Sequence, residues 1–376
     1  MNKDYLGADI KKLGFGLMRL PMIGEEIDIE QTKKMVDTFM SKGFTYFDTA
    51  YVYIGTKSEV AMKEAIVDRY PRDSFQIASK LPIWMINDKA DTRKLFEESC
   101  QRAGVDYWDF YLLHALNAER FETLEKYDVW EEAKALKAEG RIKHLGFSFH
   151  DSAEVLEENL AKHADDVEFV QLQINYIDWE SENVQARKCY EICMKYNKPV
   201  IVMEPVKGGS LVTLPEVVTN KFKAVNPELS NPSWAVRYCA SLDGIITVLS
   251  GMSNEEQLND NVSYMENFQP LSEEEQKVIA EAVEEINKIP QIPCTKCKYC
   301  VEGCPMQINI PEIFTIANEN KKFGDPNKPY NKGRYDNLTK DGGLASACIQ
   351  CGACESQCPQ HIAIIDELQE IAKIYG

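Results

Sequence analysis

Apolar and polar positions follow two alternating periods along the first 285 residues. Short apolar runs, typical of buried parallel strands, alternate with segments whose apolar residues recur every three or four positions, as in amphipathic helices. The predicted strands are 15–19, 45–47, 75–79, 110–113, 144–147, 169–173, 200–203 and 245–249. The predicted helices are 29–42, 57–68, 92–103, 129–139, 153–162, 183–196, 232–242 and 255–262. Eight strand–helix pairs over about 250 residues predict an α/β fold, a (β/α)8 TIM barrel.

The pattern changes after a ninth helix at 273–287, which opens with a capping box formed by Ser272 and Glu275. Pro290 and Pro293 then predict a stiff joint between two domains. We therefore expect a barrel over residues 1–288 and a smaller, helix-rich domain over 289–376. In that second domain the pattern predicts helices at 311–322 and 362–374 and an irregular segment at 324–329.

The second domain contains two cysteine runs with the spacing C-x2-C-x2-C-x3-C-P. The runs are Cys294, Cys297, Cys300 and Cys304, then Cys348, Cys351, Cys354 and Cys358. Eight thiolates at this spacing are the ligand set of two [4Fe–4S] clusters. Zinc is the first alternative, but its sites close with four ligands, usually in two separated pairs. A disulfide framework is the second, and it is disfavoured because no signal peptide pattern precedes the chain.

The two runs resemble those of two-cluster ferredoxins, in which the fourth cysteine of each run binds the other cluster. This resemblance implies that Cys358 joins Cys294, Cys297 and Cys300, whereas Cys304 joins Cys348, Cys351 and Cys354. The 43 residues between the runs depart from a compact ferredoxin and leave room for helices.

Composition limits the classes of partner. The formal net charge of −18 argues against nucleic acid and anionic membrane surfaces, because both require a basic face. No run approaches the roughly 20 apolar residues that a membrane span needs. Because exposed clusters are oxygen-labile, we expect the cytoplasm of an anaerobic or microaerobic microbe.

Four polar residues follow predicted strands, where barrel enzymes carry their chemistry. They are Asp48 and Tyr53 after the second strand, Lys80 after the third and His114 after the fourth. Each alone has an ordinary explanation, such as a helix cap or a core histidine. Their occurrence together at the same end of one barrel predicts a catalytic site.

These positions resemble the aldo/keto reductase family over roughly residues 10–285. The matching stretches are Phe47-Asp48-Thr49-Ala50 with Tyr53, Ala78-Ser79-Lys80, Asp109-Phe110-Tyr111-Leu112-Leu113-His114, Gly146-Phe147-Ser148, Val170-Gln171, and Ser250-Gly251-Met252-Ser253 with Gln257 and Asn261. The whole chain looks like the subgroup in which this barrel precedes a dicluster ferredoxin domain.

The resemblance implies the reduction of a small-molecule carbonyl, or the oxidation of an alcohol. Tyr53 would be the general acid, with a pKa lowered by Lys80. Asp48 would hold Lys80 in place, and His114 would orient and polarise the substrate oxygen. The clusters would exchange electrons with a ferredoxin or another redox protein.

The resemblance also implies a nicotinamide cofactor. Ser148 and Gln171 would face its carboxamide. The loops after strands 7 and 8, the usual phosphate site of a barrel, would hold the pyrophosphate. The implied nucleotide-binding residues there are Lys207, Gly208, Gly209, Gly251, Ser253, Gln257 and Asn261.

Several positions depart from the family. Gly251 and Gln257 stand where NADPH-preferring members carry a lysine and an arginine, and Glu255 and Glu256 are adjacent. Carboxylates beside a phosphate dianion disfavour a strong preference for NADPH over NADH, and a flavin is an alternative cofactor. Two other functions stay open: an electron-transfer protein whose barrel docks a partner, and an iron–sulfur redox sensor. The loops at 82–88, 116–127 and 213–229 give no signature of substrate identity.

Overall fold

A computed structural model describes residues 5–324 and 331–376. Eight parallel strands form a closed barrel in which each strand pairs with the next and the first pairs with the eighth. We number the barrel strands β1 (Leu13–Gly16), β2 (Tyr46–Asp48), β3 (Gln76–Leu81), β4 (Trp108–Leu116), β5 (Ile142–Phe149), β6 (Phe169–Gln173), β7 (Val200–Met203) and β8 (Ile245–Ser250). A short hairpin, Met22–Ile23 with Glu26–Ile27, lies outside the barrel. The predicted (β/α)8 fold is confirmed.

Helices surround the barrel at Ile29–Ser41, Lys57–Met62, Asp91–Ala103, Ala118–Lys126, Val129–Ala138, Ala153–His163, Ala186–Lys195, Asn231–Ala240 and Glu255–Met265. The second of these continues as a π-helical segment, Lys63–Val67. Helix Ala118–Lys126 lies where we predicted only a loop. The first strand was predicted to reach residue 19, but it ends at Gly16, and a 3-10 turn, Leu17–Arg19, follows because the Leu17 carbonyl accepts from the Ser58 hydroxyl at 2.9 Å.

The barrel interior is filled by apolar side chains from alternate positions of its strands, including Tyr46, Ala78, Phe110, Leu112, Phe169, Ile201, Ile246 and Leu249. Gly146 of β5 belongs to this layer, because a Cβ there would lie 2.5 Å from the Phe169 carbonyl oxygen. The larger core packs between the outer face of the strands and the helices. This packing is typical of a barrel whose centre is a core rather than a pore.

The described chain divides into two compact units. One contains the residues up to Gly208 and Pro232–Gln276, and the other contains Gly209–Asn231 and Lys277–Gly376. The division at 288/289 stays a prediction, since the segment 209–231 clusters with the C-terminal residues. The capping box is confirmed: the amides of Glu275 and Ser272 donate to each other's side chains at 3.2 and 2.9 Å.

The second unit is helical, as predicted. Its helices, of which Glu273–Asn287 begins in the first unit, are Glu216–Val225, Glu273–Asn287, Tyr299–Glu302, Ile310–Phe323, Lys332–Thr339, Ala353–Ser356 and Ile364–Tyr375. Ile308, Ile313, Phe314 and Leu368 are buried in its core. Apart from Gly324, the irregular segment predicted at 324–329 lies outside the described residues. No helix within 5–324 or 331–376 has the length and apolar character needed to cross a bilayer.

Candidate active site and cluster-binding cavities

The four predicted catalytic residues meet at the carboxyl end of the barrel. Asp48, Lys80 and His114 each follow an interior apolar residue by two positions, so the alternation of the strands turns them inward as well. Tyr53 lies in the loop after β2 and returns over this layer, with its ring centroid 6.0 Å from that of His114. Parallel strands that share one end therefore gather side chains from distant parts of the sequence.

Lys80 connects the acidic and phenolic members of the group. Its Nζ donates to Asp48 Oδ1 at 2.5 Å, to the Thr49 carbonyl at 2.7 Å and to the Tyr53 hydroxyl at 3.2 Å. Gln171 Nε2 donates to the other oxygen of Asp48 at 3.1 Å. Removing one partner of a buried ion pair costs about 3–5 kcal/mol, so this network holds the ammonium firmly against the phenol.

Burial and the neighbouring charges act in opposite directions on the pKa values of Asp48 and Lys80. It raises the pKa of Asp48, against the opposing effect of Lys80 and Gln171. Burial acts to lower the pKa of Lys80, but Asp48 and Tyr53 outweigh it, so the pKa is raised and the ammonium stays charged at neutral pH.

The protonation of Tyr53 differs from our expectation. Burial raises the pKa of Tyr53 above its ordinary value; Lys80 lowers it, whereas Asp48 and Glu204 add to the rise. The lowering effect expected of Lys80 is present, but burial outweighs it because a phenolate loses its hydration in the barrel mouth. The resting phenol therefore keeps its proton at neutral pH.

His114 is a neutral imidazole in this setting. Burial lowers its pKa well below the ordinary value, and the charges of Lys80, His150 and Arg120 act in the same direction. Its Nδ1 is buried without a hydrogen-bond partner among the described residues. The ring of Trp84 lies 5.2 Å from that of His114. A neutral histidine beside a protonated phenol can donate one N–H to a substrate oxygen.

Ser148 and Gln171, predicted to face a nicotinamide, are opposite each other in the pairing of β5 with β6. Both are buried, and both have protein partners. The Ser148 hydroxyl accepts from the Ala115 amide at 2.7 Å, and Gln171 donates to Asp48. The Ser148 hydroxyl proton and the Gln171 amide oxygen stay available to a ligand.

Lys207, predicted to bring charge to a pyrophosphate, forms an ion pair in the structure, and its role at a pyrophosphate stays a prediction. Its Nζ lies 2.6 Å from Oδ1 of the buried Asp178, whose Oδ2 accepts from Gln173 and Asn175. Sequence spacing places Lys207 in the correct loop but does not reveal its partner, which comes from the preceding βα loop.

Arg19 was missed by the sequence analysis, which assigned it to a strand. It ends the 3-10 turn after β1, and its carbonyl accepts from the Ser253 hydroxyl at 2.9 Å. A Cβ on Gly251 would lie 3.3 Å from Arg19 Cδ, and one on Gly208 would lie 3.7 Å from Arg19 Nη2. The guanidinium therefore lies between the two predicted phosphate loops. The signal in the sequence that could have revealed Arg19 was the presence of a basic residue directly after β1.

The other residues of these loops are ordered by local contacts. Asn254 caps helix Glu255–Met265 by accepting from the Gln257 amide at 2.9 Å, and Gln257 Oε1 accepts from the Ser253 amide at 2.8 Å. Asn261 is buried, donates to Ser250 Oγ at 2.6 Å and accepts from Tyr264. Gly209 belongs to the second unit and has a φ of 103°, with no heavy atom within 4 Å of the place where its Cβ would lie.

The eight cysteines of the second unit surround two cavities. Cys294, Cys297, Cys300 and Cys358 line one, and Cys304, Cys348, Cys351 and Cys354 line the other. In the described chain, no three His, Cys, Asp or Glu side chains converge as the ligands of one metal ion would; the thiols are instead spread around each cavity wall. This arrangement fits two four-iron clusters and the crossed ligand sets.

The backbone of the two runs repeats. Lys296 and Lys298 flank Cys297 with positive φ, as Gln350 and Gly352 flank Cys351. The second cysteine of each run is exposed and the third is buried. Alternation of left- and right-handed residues turns successive amides towards one point, a conformation that binds anions and iron–sulfur clusters. The two runs are therefore alike in these positive φ values as well as in the spacing of their cysteines.

A (β/α)8 barrel with an Asp–Tyr–Lys–His group at its carboxyl end, together with an iron–sulfur module, defines an oxidoreductase. Residues 12–284 match the model of the aldo/keto reductase family, and residues 293–363 match that of the 4Fe-4S dicluster domain. The chain belongs to the aldo/keto reductase family and carries a C-terminal dicluster domain.

Similar proteins cover the barrel. An uncharacterized oxidoreductase of Bacillus subtilis, YqkF, is 26% identical over 314 residues, which are 74% of this chain and 95% of that protein. The holo form of the aldo-keto reductase AKR11C1 from Bacillus halodurans superposes with a TM-score of 0.56 at 24% identity, covering 73% of this chain and 92% of its own. An aldo-keto reductase from Klebsiella pneumoniae in complex with NADPH gives a TM-score of 0.57 at 21% identity, covering 72% and 90%. These two structures show a shared fold.

Proposed function

We propose that the barrel interconverts a carbonyl compound and an alcohol, with Tyr53 as the group that gives and takes the proton. The observation that carries this proposal is the 3.2 Å hydrogen bond from the buried, ion-paired Lys80 to the Tyr53 hydroxyl. In the reduction, Tyr53 donates its proton to the substrate oxygen. Lys80 then stabilises the phenolate through the hydrogen bond that it already makes, and solvent reprotonates Tyr53.

His114 has a separate role in this proposal. Because its pKa is depressed, the imidazole is neutral and donates an N–H to the carbonyl oxygen instead of competing with Tyr53 as an acid. The hydrogen bond polarises the carbonyl while Tyr53 supplies the proton. The two rings lie 6.0 Å apart, which leaves room for one substrate oxygen between them.

A reduced nicotinamide, when bound, supplies the hydride that reaches the carbonyl carbon. Ser148 and Gln171 would hold its ring, and Gly208, Gly251 and Arg19 would hold its pyrophosphate. The Klebsiella structure, a complex with NADPH, supports a nicotinamide in this fold. Glu255 and Glu256 in the first helical turn disfavour a strong NADPH preference here. A flavin stays the alternative cofactor.

We expect different pH dependences of kcat/KM for the two directions. Reduction has a flat kcat/KM between about pH 6 and about pH 9, because Tyr53 stays protonated and His114 stays neutral. Alcohol oxidation needs the phenolate, whose fraction rises about tenfold per pH unit below the raised pKa, so its kcat/KM rises similarly. Initial rates in both directions measure this. A fall in reduction with a midpoint near the ordinary histidine pKa of about 6.5 would contradict the neutral role of His114.

A second prediction concerns Arg19. We expect Arg19→Gln to weaken binding of the dinucleotide by about tenfold or more, because a charge-assisted hydrogen bond is lost, and to leave kcat at saturation within about threefold. Fluorescence titration with NADH and NADPH measures the Kd values. Equal losses place Arg19 at the pyrophosphate, and a larger loss for NADPH places it at the 2′-phosphate. Arg93→Gln, on an outer helix, is the control, and an unchanged Kd for both dinucleotides in Arg19→Gln rejects the role.

We propose further that the two cavities hold [4Fe–4S] clusters with the crossed ligand sets. A bound cluster passes one electron at a time, so this module would exchange single electrons with a ferredoxin or another redox protein. Ile349, beside Cys348 at the second cavity, is 59% exposed, and Cys351 is exposed as well. A cluster in that cavity would lie close to the surface of its unit.

A further inference from the structure

The arginines of this acidic chain are nearly all paired. Among the described residues, eight of ten form an ion pair with a carboxylate, namely Arg69, Arg72, Arg93, Arg102, Arg141, Arg187, Arg237 and Arg334. The two exceptions are Arg19 and Arg120. Arg19 lies between the candidate phosphate loops, where a phosphate would be its anionic partner. For Arg120, the anion that it binds has to be inferred from its surroundings.

Arg120 lies one aromatic ring away from the catalytic group. It is in the first turn of helix Ala118–Lys126, and its guanidinium carbon is 4.8 Å from the centre of the Trp84 ring. Trp84 in turn lies 5.2 Å from His114. A row of side chains therefore leads from the Tyr53 phenol, past His114 and Trp84, to a half-buried cation.

Arg120 is held in place. Its Nη1 donates to the carbonyl of Ala115, a residue with a φ of 54° whose amide donates to Ser148. A guanidinium has five N–H donors in a fixed fork, so the others stay available. Stacking on an indole favours this planar cation over a lysine.

The surroundings of Arg120 favour an anion. His150 and His114 are close enough for the charge of Arg120 to lower the pKa of each, after the larger effect of burial. Glu119 and Glu122, the nearest acidic residues along the chain, form no ion pair with Arg120 in the described structure. Asp151 accepts from the backbone amides of Ala118 and Ser152 and forms no ion pair with Arg120 either. An oppositely charged substrate group would supply the missing partner.

We propose that the substrate is a carbonyl compound that also carries a carboxylate, and that Arg120 binds this carboxylate while the carbonyl oxygen faces Tyr53 and His114. This proposal rests on the proposed function. Because an indole ring separates Arg120 from His114, the carboxylate lies several bonds from the carbonyl. In the reaction, hydride from the reduced nicotinamide adds to the carbonyl carbon, Tyr53 protonates the oxygen, and the carboxylate is unchanged. The product is a hydroxy acid.

The test compares two aldehydes that differ in charge, para-formylbenzoate and its methyl ester, with the holoenzyme. We expect the parent enzyme to prefer the acid in kcat/KM. Arg120→Gln should lower this value about 10- to 100-fold for the acid, through loss of a charge-assisted hydrogen bond, and change it less than about threefold for the ester. Arg120→Lys, which keeps the charge and loses the fork, should fall between. Arg187→Gln, a surface arginine paired with Glu180, is the control.

A structural role for Arg120 gives a different result. If Arg120 only supports the Ala115 carbonyl, Arg120→Gln lowers kcat/KM equally for acid and ester, and the proposal is overturned. Equal use of both aldehydes by the parent enzyme overturns it as well.

Calorimetric binding of para-toluate and para-toluamide, which cannot be reduced, separates this proposal from the proposed function. Toluate binding that exceeds toluamide binding and is lost in Arg120→Gln supports the carboxylate site, even if neither aldehyde is turned over. A lack of turnover with both aldehydes would reject carbonyl reduction but not the carboxylate site. Equal binding of the two compounds overturns the carboxylate site whatever the turnover.

Discussion

Replacing Tyr53 by phenylalanine is expected to slow carbonyl reduction by about 100- to 10,000-fold, the usual contribution of a positioned general acid. The phenyl ring keeps its place, since Lys80 Nζ lies 4.7 Å from the ring centre. Lys80 also keeps Asp48 and the Thr49 carbonyl as acceptors, so the buried ammonium is not stranded. The loss should therefore appear in kcat, with the dinucleotide Kd unchanged.

Tyr196→Phe is the matched control, because the Tyr196 hydroxyl bonds to Glu157 beside an outer helix. It should retain full activity. The iron content of both variants should equal that of the parent, because neither residue belongs to the second unit. If Tyr53→Phe reduces the aldehyde within about threefold of the parent rate, the phenol is not the proton donor.

The second large effect concerns iron binding. Under the crossed ligand sets, Cys294→Ser combined with Cys358→Ser damages one cavity and should leave about four irons per chain. Cys348→Ser combined with Cys358→Ser damages both cavities and should leave close to none. Iron analysis and the visible cluster absorbance after anaerobic loading measure the difference.

The two double variants have the same number of substitutions, so a general loss of folding affects them alike. If each run bound its own cluster, the order would reverse: Cys348 with Cys358 would spare one cluster and Cys294 with Cys358 would remove both. Cys100→Ser, a buried thiol of the barrel unit, should leave iron content unchanged. The comparison of the two double variants thus tests whether the fourth cysteine of each run binds the cluster of the other run.

The candidate catalytic group was accessible from the sequence because its placement depends on a periodic rule. Once the strands are located, residues at their carboxyl ends must converge, and Asp48, Lys80 and His114 needed no further information. The spacing of the cysteines predicted two cluster sites, whereas the crossed ligand sets came from the resemblance to two-cluster ferredoxins and stay a prediction. Side-chain pairing has no such rule. The ion pair of Lys207 with Asp178 joins two loops, and only the folded chain reveals it.

The loops show the same limit. Helix Ala118–Lys126 buries only Phe121 and Leu124, and helix Glu216–Val225 only Val218 and Phe222, so neither has a long apolar stripe. The available signals were Asn117 as N-cap and Pro215 before an acidic first turn. Missing the first helix concealed Arg120, because a loop does not fix which residue turns towards the site.

The most direct test of carbonyl reduction in the barrel follows an isotope from the nicotinamide to the alcohol. The iron-loaded protein would be mixed anaerobically with para-formylbenzoate or its ester and with NADH or NADPH carrying deuterium at both C4 positions, and the alcohol product analysed by mass spectrometry. We expect one deuterium on the carbinol carbon, and formation of this product about 100- to 10,000-fold more slowly in Tyr53→Phe. The contrary result is that the nicotinamide is oxidised and the cluster absorbance bleaches while neither aldehyde gives a deuterated alcohol. That result would contradict carbonyl reduction in the barrel and would favour an electron-transfer protein whose barrel performs no carbonyl chemistry.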